Sequence, residues 1–442
     1  MIYDLKNEKI SKLFFAYLLP SVTGSLAIGI LIFIDTVFIG RGVGSLGLAA
    51  LNTVLPVFTL YSSLGLLFGI GGATLASIIS GRGGNKKEKN IIFSTSVYLS
   101  VFFSIIFTLI QKMFLKDIIY YLGATELIFP YAESYLRIIS TFTAFYIVPN
   151  TLNIFIRNDS NPNLSMWAMV SCGISNILLD YLFIFRFNMG MRGASLATGI
   201  SQFLYFAILL LHFFRKNNTL KLYIEKIKFK NIIKIVKIGI PSFINDVSSG
   251  LAIFIFNLIL FKFSNELYVS AFSIILNINF LVYLIYVGVS QGTQPIISYN
   301  YGAKLFSRIE KVNKYGLSTN IIVSIFIISL SLIFPNYIVG IFNKENQELI
   351  KIGVEALPRF FSASLFMGIN IYLANFFQGI EQSKISSLLI FMRAFLFLAI
   401  ALFILPKFLG INGVWYATLF SELATLIFVI YFYKSYCKKI IR

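Results

Sequence analysis

Long apolar runs limit this chain more than any other feature. Twelve of them lie near residues 14–39, 51–79, 91–111, 131–156, 165–185, 193–214, 238–261, 269–297, 316–339, 352–379, 385–405 and 412–433. Each is close to or beyond the roughly 20 residues a helix needs to cross a bilayer core. The runs show no period-2 alternation, and lipid admits only helices or closed barrels, so they read as helices. Apolar residues make up 57% of 442, about 252 in all, which sets a ceiling of roughly 12 spans. Charged residues are 12%, half the roughly 25% of soluble domains. A soluble enzyme, a nucleic-acid module and a disordered chain are thereby excluded. The expected fold class is an all-α polytopic membrane protein with 12 transmembrane helices.

Charge gives the orientation. An even number of spans returns both ends to one side, and that side carries 25 of the 37 Lys and Arg residues, against 9 opposite. The three others, Arg137, Arg359 and Arg393, fall within spans. By the positive-inside rule both termini are expected to be cytoplasmic. The net charge of +19 is then loop placement, not a nucleic-acid surface. The first run is too long for a signal-peptide core and reads as an uncleaved helix. Cys172 and Cys437 offer neither a disulfide framework nor metal-ligand spacing. His212, beside Arg215 and Lys216 at the end of a run, reads as an interfacial residue that snorkels to water.

The chain is internally duplicated. Leu19-Pro20-Ser21 recurs as Ile240-Pro241-Ser242, and Gly29 as Gly250, at an offset of 221. Glu133 and Arg137 recur as Glu355 and Arg359. The stretches 189–202 and 409–422 share Gly-x-x-Gly-x-x-x-Ala-Thr-x-x-Ser at an offset of 220. Each repeat therefore holds six helices inserted with the same orientation, the parallel-repeat plan of secondary transporters. The expected organisation is a six-helix bundle over 1–215, a basic cytoplasmic linker over 216–237 and a second six-helix bundle over 238–442.

Ionisable groups deep in a span are costly and default to functional candidates. Asp35 lies in the first span, with Phe256 at its repeat position. Asp180 lies in the fifth, with Asn176 one turn earlier and Gly173 a further turn back on the same face, and its repeat position is Ile400. A carboxylate beside an amide can hold a proton or a small cation. Asp246, Arg393 and Glu422 are secondary candidates. Glu422 repeats as Gln202, which suggests a hydrogen-bonding structural role, and Arg393 either snorkels inward or pairs within its bundle. Glu133 with Arg137, and Glu355 with Arg359, are i,i+4 ion pairs that both halves share, so they read as structural. The stretch 288–304 is punctuated by Gly and Pro, which mark bending in a span. Neither Gly-x-Gly-x-x-Gly nor a Walker pattern is present, so no nucleotide and no organic cofactor is expected.

These residues resemble the multidrug and toxic compound extrusion (MATE) family over nearly the whole chain. The resemblance rests on Gln294-Pro295 with Tyr299-Asn300-Tyr301-Gly302-Ala303-Lys304, and on Asn176-x-x-x-Asp180 followed by Gly193-Ala194 and Ala197-Thr198. It rests also on the run from Pro20 to Gly40 with Asp35, and on Arg157-Asn158-Asp159-x-Asn161-Pro162. The branch with QGTQPIISYNYGAK looks MepA-like. The resemblance implies antiport of amphipathic, cationic drugs against H⁺ or Na⁺ by a monomer in a bacterial plasma membrane. It implies a cation site of Asp35, Asn176 and Asp180, with Thr198 as a further member. Acids in the seventh and tenth spans, used by some relatives, have only Asp246 as a counterpart here. The competing reading is a lipid-linked saccharide flippase of related architecture, which calls for basic residues in the cavity.

Overall fold

The computed structural model describes residues 3–224, 227–263, 266–342 and 346–441. The described residues are helical, with no strand among them. Among the described residues eleven helices are long and apolar enough to cross a membrane, or twelve spans when a pair bent by 46° is taken as one. The chain is a multi-pass membrane protein.

The two halves repeat one another element by element. α1 (Ile10–Gly42), α2 (Ser45–Gly81) and α3 (Lys86–Met113) correspond to α9 (Phe229–Phe263), α10 (Glu266–Gly302) and α11 (Phe306–Ile333). A short helix follows in each, α4 (Leu115–Tyr121) or α12 (Pro335–Phe342). The fourth span is broken at the same place in both. α5 (Phe129–Ile139) gives way to α6 (Thr143–Asn158) through a 3₁₀ turn, and α13 (Gln347–Phe361) bends into α14 (Ser364–Gly379). The fifth span is α7 (Pro162–Asp180) in the first half, and α15 (Ser383–Phe391) with α16 (Phe397–Leu409) in the second. The sixth is α8 (Gly190–Leu210), matched by α17 (Ile411–Trp415) with α18 (Ala417–Ile441). Both fifth spans contain π-helical turns, at Tyr181–Arg186 and Met392–Leu396.

Contacts divide the chain into two compact units, Met1–Phe243 with Ser298–Lys304, and Ile244–Ile297 with Leu305–Arg442. α9 begins inside the stretch 216–237 expected as linker, and its first part packs within unit 1.

Unit 1 turns small polar groups inward and apolar side chains outward, as a lipid solvent requires. On α3, Phe102, Ile105 and Leu109 are exposed while Ser96, Ser100 and Ser104 are buried. The Ser100 hydroxyl shares a 2.7 Å hydrogen bond with Thr151, which donates to the Gly65 carbonyl at 3.1 Å. Glycines let backbones touch. A Cβ on Gly71 or Gly239 would overlap the carbonyl oxygen of Ile235 or Leu67, and one on Gly81 or Gly302 that of Tyr299 or Ile78. Unit 2 is built around aromatic rings, with Phe256 stacked on Phe272 at 4.5 Å and Trp415 beside them. The Tyr286 hydroxyl shares hydrogen bonds with Ser324 at 2.8 Å and Ser364 at 2.6 Å.

The segment after α8 is strapped to unit 1. Asn90 Oδ1 accepts from the Lys221 N–H at 3.1 Å, and Ser94 Oγ from the Tyr223 N–H at 2.8 Å. The Tyr98 hydroxyl donates to the Tyr223 carbonyl at 3.1 Å. Four-residue spacing puts these three side chains on one face of α3. The strap is pinned by Asp159, which accepts from Lys89 Nζ at 2.8 Å, from the Thr219 N–H at 3.0 Å, from the Thr219 hydroxyl and from His212 Nε2 at 3.0 Å. His212 therefore does not snorkel. It is 2% exposed, because Asn161 Nδ2 donates to its Nδ1 at 3.1 Å while Nε2 meets Asp159. With both ring nitrogens satisfied inside, water has nothing to add.

Burial raises the Asp159 pKa, but the His212 hydrogen bond, the Lys89 charge and the Lys89 and Thr219 hydrogen bonds outweigh it and hold this carboxyl well below the usual range. A depressed carboxylate stabilises fully above its unfolded pKa of about 3.9 and loses that contribution only as pH falls through the lower folded value. Asp159→Asn at neutral pH is expected to cost about 3 kcal/mol, read as a lower thermal midpoint and faster proteolysis within 218–223. Gly302→Leu is expected to lose about 2 kcal/mol by overpacking and to lower the thermal midpoint. Gly340→Leu, with open space at its Cβ, leaves the midpoint unchanged.

Candidate functional site

Two glycines set the register that builds the site. A Cβ on Gly24 of α1 would press the Met169 sulfur of α7, and one on Gly173 would lie 3.4 Å from the Ala27 carbonyl and 3.8 Å from Leu31 Cβ. Both helices advance together along this contact. Eleven residues on from the Gly24–Met169 contact, three helical turns, the next side chains to face one another are those of Asp35 and Asp180. Their carboxyl groups lie within hydrogen-bonding range of each other. Both are buried, at 8% and 0% exposure. Asp180 ends the regular part of its helix, and the π-helical turn begins at Tyr181. Such widened turns re-aim side chains and recur at functional sites.

Asn176, one turn before Asp180, is fully buried and donates from Nδ2 to the Thr198 hydroxyl of α8 at 3.4 Å. Thr198 in turn donates to the Ala194 carbonyl at 2.9 Å. The structure thus brings together Asp35, Asn176, Asp180 and Thr198. It adds Tyr135 of α5, whose hydroxyl lies near Thr198 and within electrostatic reach of both carboxylates. Tyr135 shares a buried face with Ala132, Leu136 and Ile139, an i, i+3, i+4, i+7 pattern present in the sequence. The Glu133–Arg137 pair, at 2.6 Å on the neighbouring face, marks the exposed side of the same helix.

What the site lacks is donors. Asp35 Oδ1, Asn176 Oδ1 and both carboxyl oxygens of Asp180 are buried without a hydrogen-bond donor from the protein. Two ionised carboxylates are acceptors only and cannot bond each other. One proton makes either a donor to its neighbour. A small hard cation such as Na⁺ is the other species that oxygens of this kind satisfy. Among the described residues no group of three or more His, Cys, Asp and Glu converges.

Unit 2 places its charged candidates differently. Arg393, in the π-helical turn, donates from Nη2 and Nε to Glu422 Oε1 at 2.8 and 3.1 Å. Asn370 Nδ2 donates to Glu422 Oε2 at 2.7 Å. Of the two roles open to Arg393, pairing within the bundle is the one observed. Asp246 is half-buried on α9. Tyr283, whose hydroxyl accepts from Asn245 at 2.6 Å, lies within electrostatic reach of both Asp246 and Arg393.

The MatE family profile matches residues 20–182 and 241–404, one stretch in each half. The chain is 25% identical over 425 residues to the multidrug export protein MepA of Staphylococcus saprophyticus, covering 95% of this chain and 93% of that protein. It is 27% identical over 423 residues to MepA of Staphylococcus haemolyticus, covering 95% and 92%. An outward-facing multidrug resistance MATE family transporter of the MOP superfamily superposes with a TM-score of 0.92 at 20% identity, covering 98% of this chain and 97% of that one. A MOP superfamily transporter from Pyrococcus furiosus also superposes at 0.92 and 20% identity, covering 99% and 98%. With family matches in both halves, the same helical fold and no enzymatic role in the family, the chain belongs to the MatE transporters.

Proposed function

We propose that this protein exports amphipathic, cationic drugs in exchange for H⁺ or Na⁺ by alternating access. The observation that carries the reading is the facing pair Asp35 and Asp180, buried beside Asn176 with carboxyl oxygens that no protein donor fills. A site of this kind needs a cation in one state and releases it in another. Coupling then follows if drug and cation favour opposite states, since a ligand shifts an equilibrium only by its differential affinity. The name of the Staphylococcus relatives, multidrug export protein, supports small organic molecules as cargo. The bias of Lys and Arg toward one set of loops supports a plasma-membrane protein with both termini cytoplasmic. Each charge moved through 100 mV is worth about 2.3 kcal/mol. Two protons against one monovalent drug would draw on the potential, and one would not. The flippase reading loses its main support, because the Arg393 guanidinium is spent on Glu422.

Export of ethidium from vesicles holding the full-length protein, under an imposed pH gradient and separately under a Na⁺ gradient, tests this. Export is expected to follow one of the gradients and to fall at least about tenfold in Asp35→Asn, the scale on which positioned ionisable groups act. Unaltered coupled export by that variant would remove Asp35 from the mechanism.

A further inference from the structure

The repeat positions of Arg393 and Glu422, at the offset of 220, are Gly173 and Gln202. Unit 1 thus keeps a glycine, on the Asp180 face of its fifth span, where unit 2 keeps a guanidinium. Both Glu422 oxygens are filled, Oε1 by two N–H groups of Arg393 and Oε2 by Asn370. The arrangement is braced further. Asn370 Nδ2 also donates to the Glu422 carbonyl at 2.8 Å, and the Ser421 hydroxyl donates to the Arg393 carbonyl at 2.6 Å. The two charged side chains are 9% and 3% exposed. Among the described residues, Tyr286 of α10 lies within electrostatic reach of Glu422, and Tyr283 of α10 within reach of both Arg393 and Asp246 of α9. Asp180, by contrast, has neither oxygen filled.

We propose that Arg393 is the resident counter-cation of unit 2, and that by saturating Glu422 it excludes exchangeable cations there and confines cation binding to unit 1. An arginine suits this role, since its planar fork matches a carboxylate and it does not deprotonate in proteins. A proton or Na⁺ can leave; a side chain cannot. Arg393 is then a determinant of coupling stoichiometry and not itself a ligand for drug or ion. The stoichiometric part rests on the proposed coupling through Asp35 and Asp180, whereas the saturation of Glu422 stands without it.

Infrared titration of the full-length protein in lipid vesicles, with H⁺ and Na⁺ as the probes, tests the saturation directly. Arg393→Gly, which restores the repeat residue, is expected to create a carboxylic-acid carbonyl band that titrates with pH or responds to Na⁺. That band is expected to be absent from Arg393→Gly/Glu422→Gln. Wild type and the uncharged pair Arg393→Gln/Glu422→Gln are expected to share one set of titrating bands. A titrating band present in wild type and lost in the uncharged pair would overturn the proposal, because Glu422 would already be exchanging protons. So would Arg393→Gly folding without any new band. Should Arg393→Gly fail to fold, ethidium export by the uncharged pair decides. A cation dependence within about twofold of wild type supports the resident-cation role, and its loss overturns it. Failure of the coupling reading is seen separately, as unaltered export by Asp35→Asn.

Discussion

Hydrocarbon offers no hydrogen bonds, and that lack governs every polar side chain in this protein. Within a span a hydroxyl, amide or charge either finds a partner in the protein or stands at the cost of its full desolvation. Most have found one: Ser100 has Thr151, and Tyr286 has Ser324 and Ser364. Arg393 has Glu422. Against this background of closed pairs the oxygens of Asp35, Asn176 and Asp180 stand out, because they converge and remain open. Four acceptor oxygens converging in this way mark a place where an outside species belongs.

The duplication shows how far side chains diverge while a backbone stays the same. Where unit 1 has Asp35, unit 2 has Phe256, stacked on Phe272 at 4.5 Å in a dry aromatic core. Where unit 1 has Asp180, unit 2 has Ile400, 38% exposed and suited to lipid. The lengths of the first three helices, the broken fourth span and the short helix after the third are kept in both halves. The constraints on length and packing come from the bilayer and act on both halves alike, whereas the chemistry is written by a few positions that face inward.

What was readable from the residues follows the same division. Span number and the duplication are carried by long stretches, so many residues vote for each. Asp35, Asn176 and Asp180 were readable because acids and amides are rare in spans. The register that turns Asp35 toward Asp180 was not, since it depends on two glycines and a methionine meeting across helices far apart in sequence. Nor were the π-helical turns, which arise from tertiary packing and carry no sequence signal here. His212 was misread because a local rule, that a basic side chain near a span end reaches for water, took no account of Asp159, 53 residues away. Tyr135 carries little signal of its own, because a tyrosine on the apolar face of a span with Ala132, Leu136 and Ile139 reads as packing.

The strapped segment and the division into units together have a mechanical meaning. Because the start of α9 belongs to unit 1, the chain does not pass between units through the basic segment. It passes at Phe243–Ile244 within α9, at Ile297–Ser298 within α10, and at Lys304–Leu305. Two of these passages run through continuous helices, each two residues beyond a proline, Pro241 or Pro295. A proline removes one backbone hydrogen bond and lowers the resistance of the helix to bending in the turn before it, here 237–241 and 291–295. Each of these two helices is a rod notched by one pyrrolidine ring, and the notch lies within a turn of the passage.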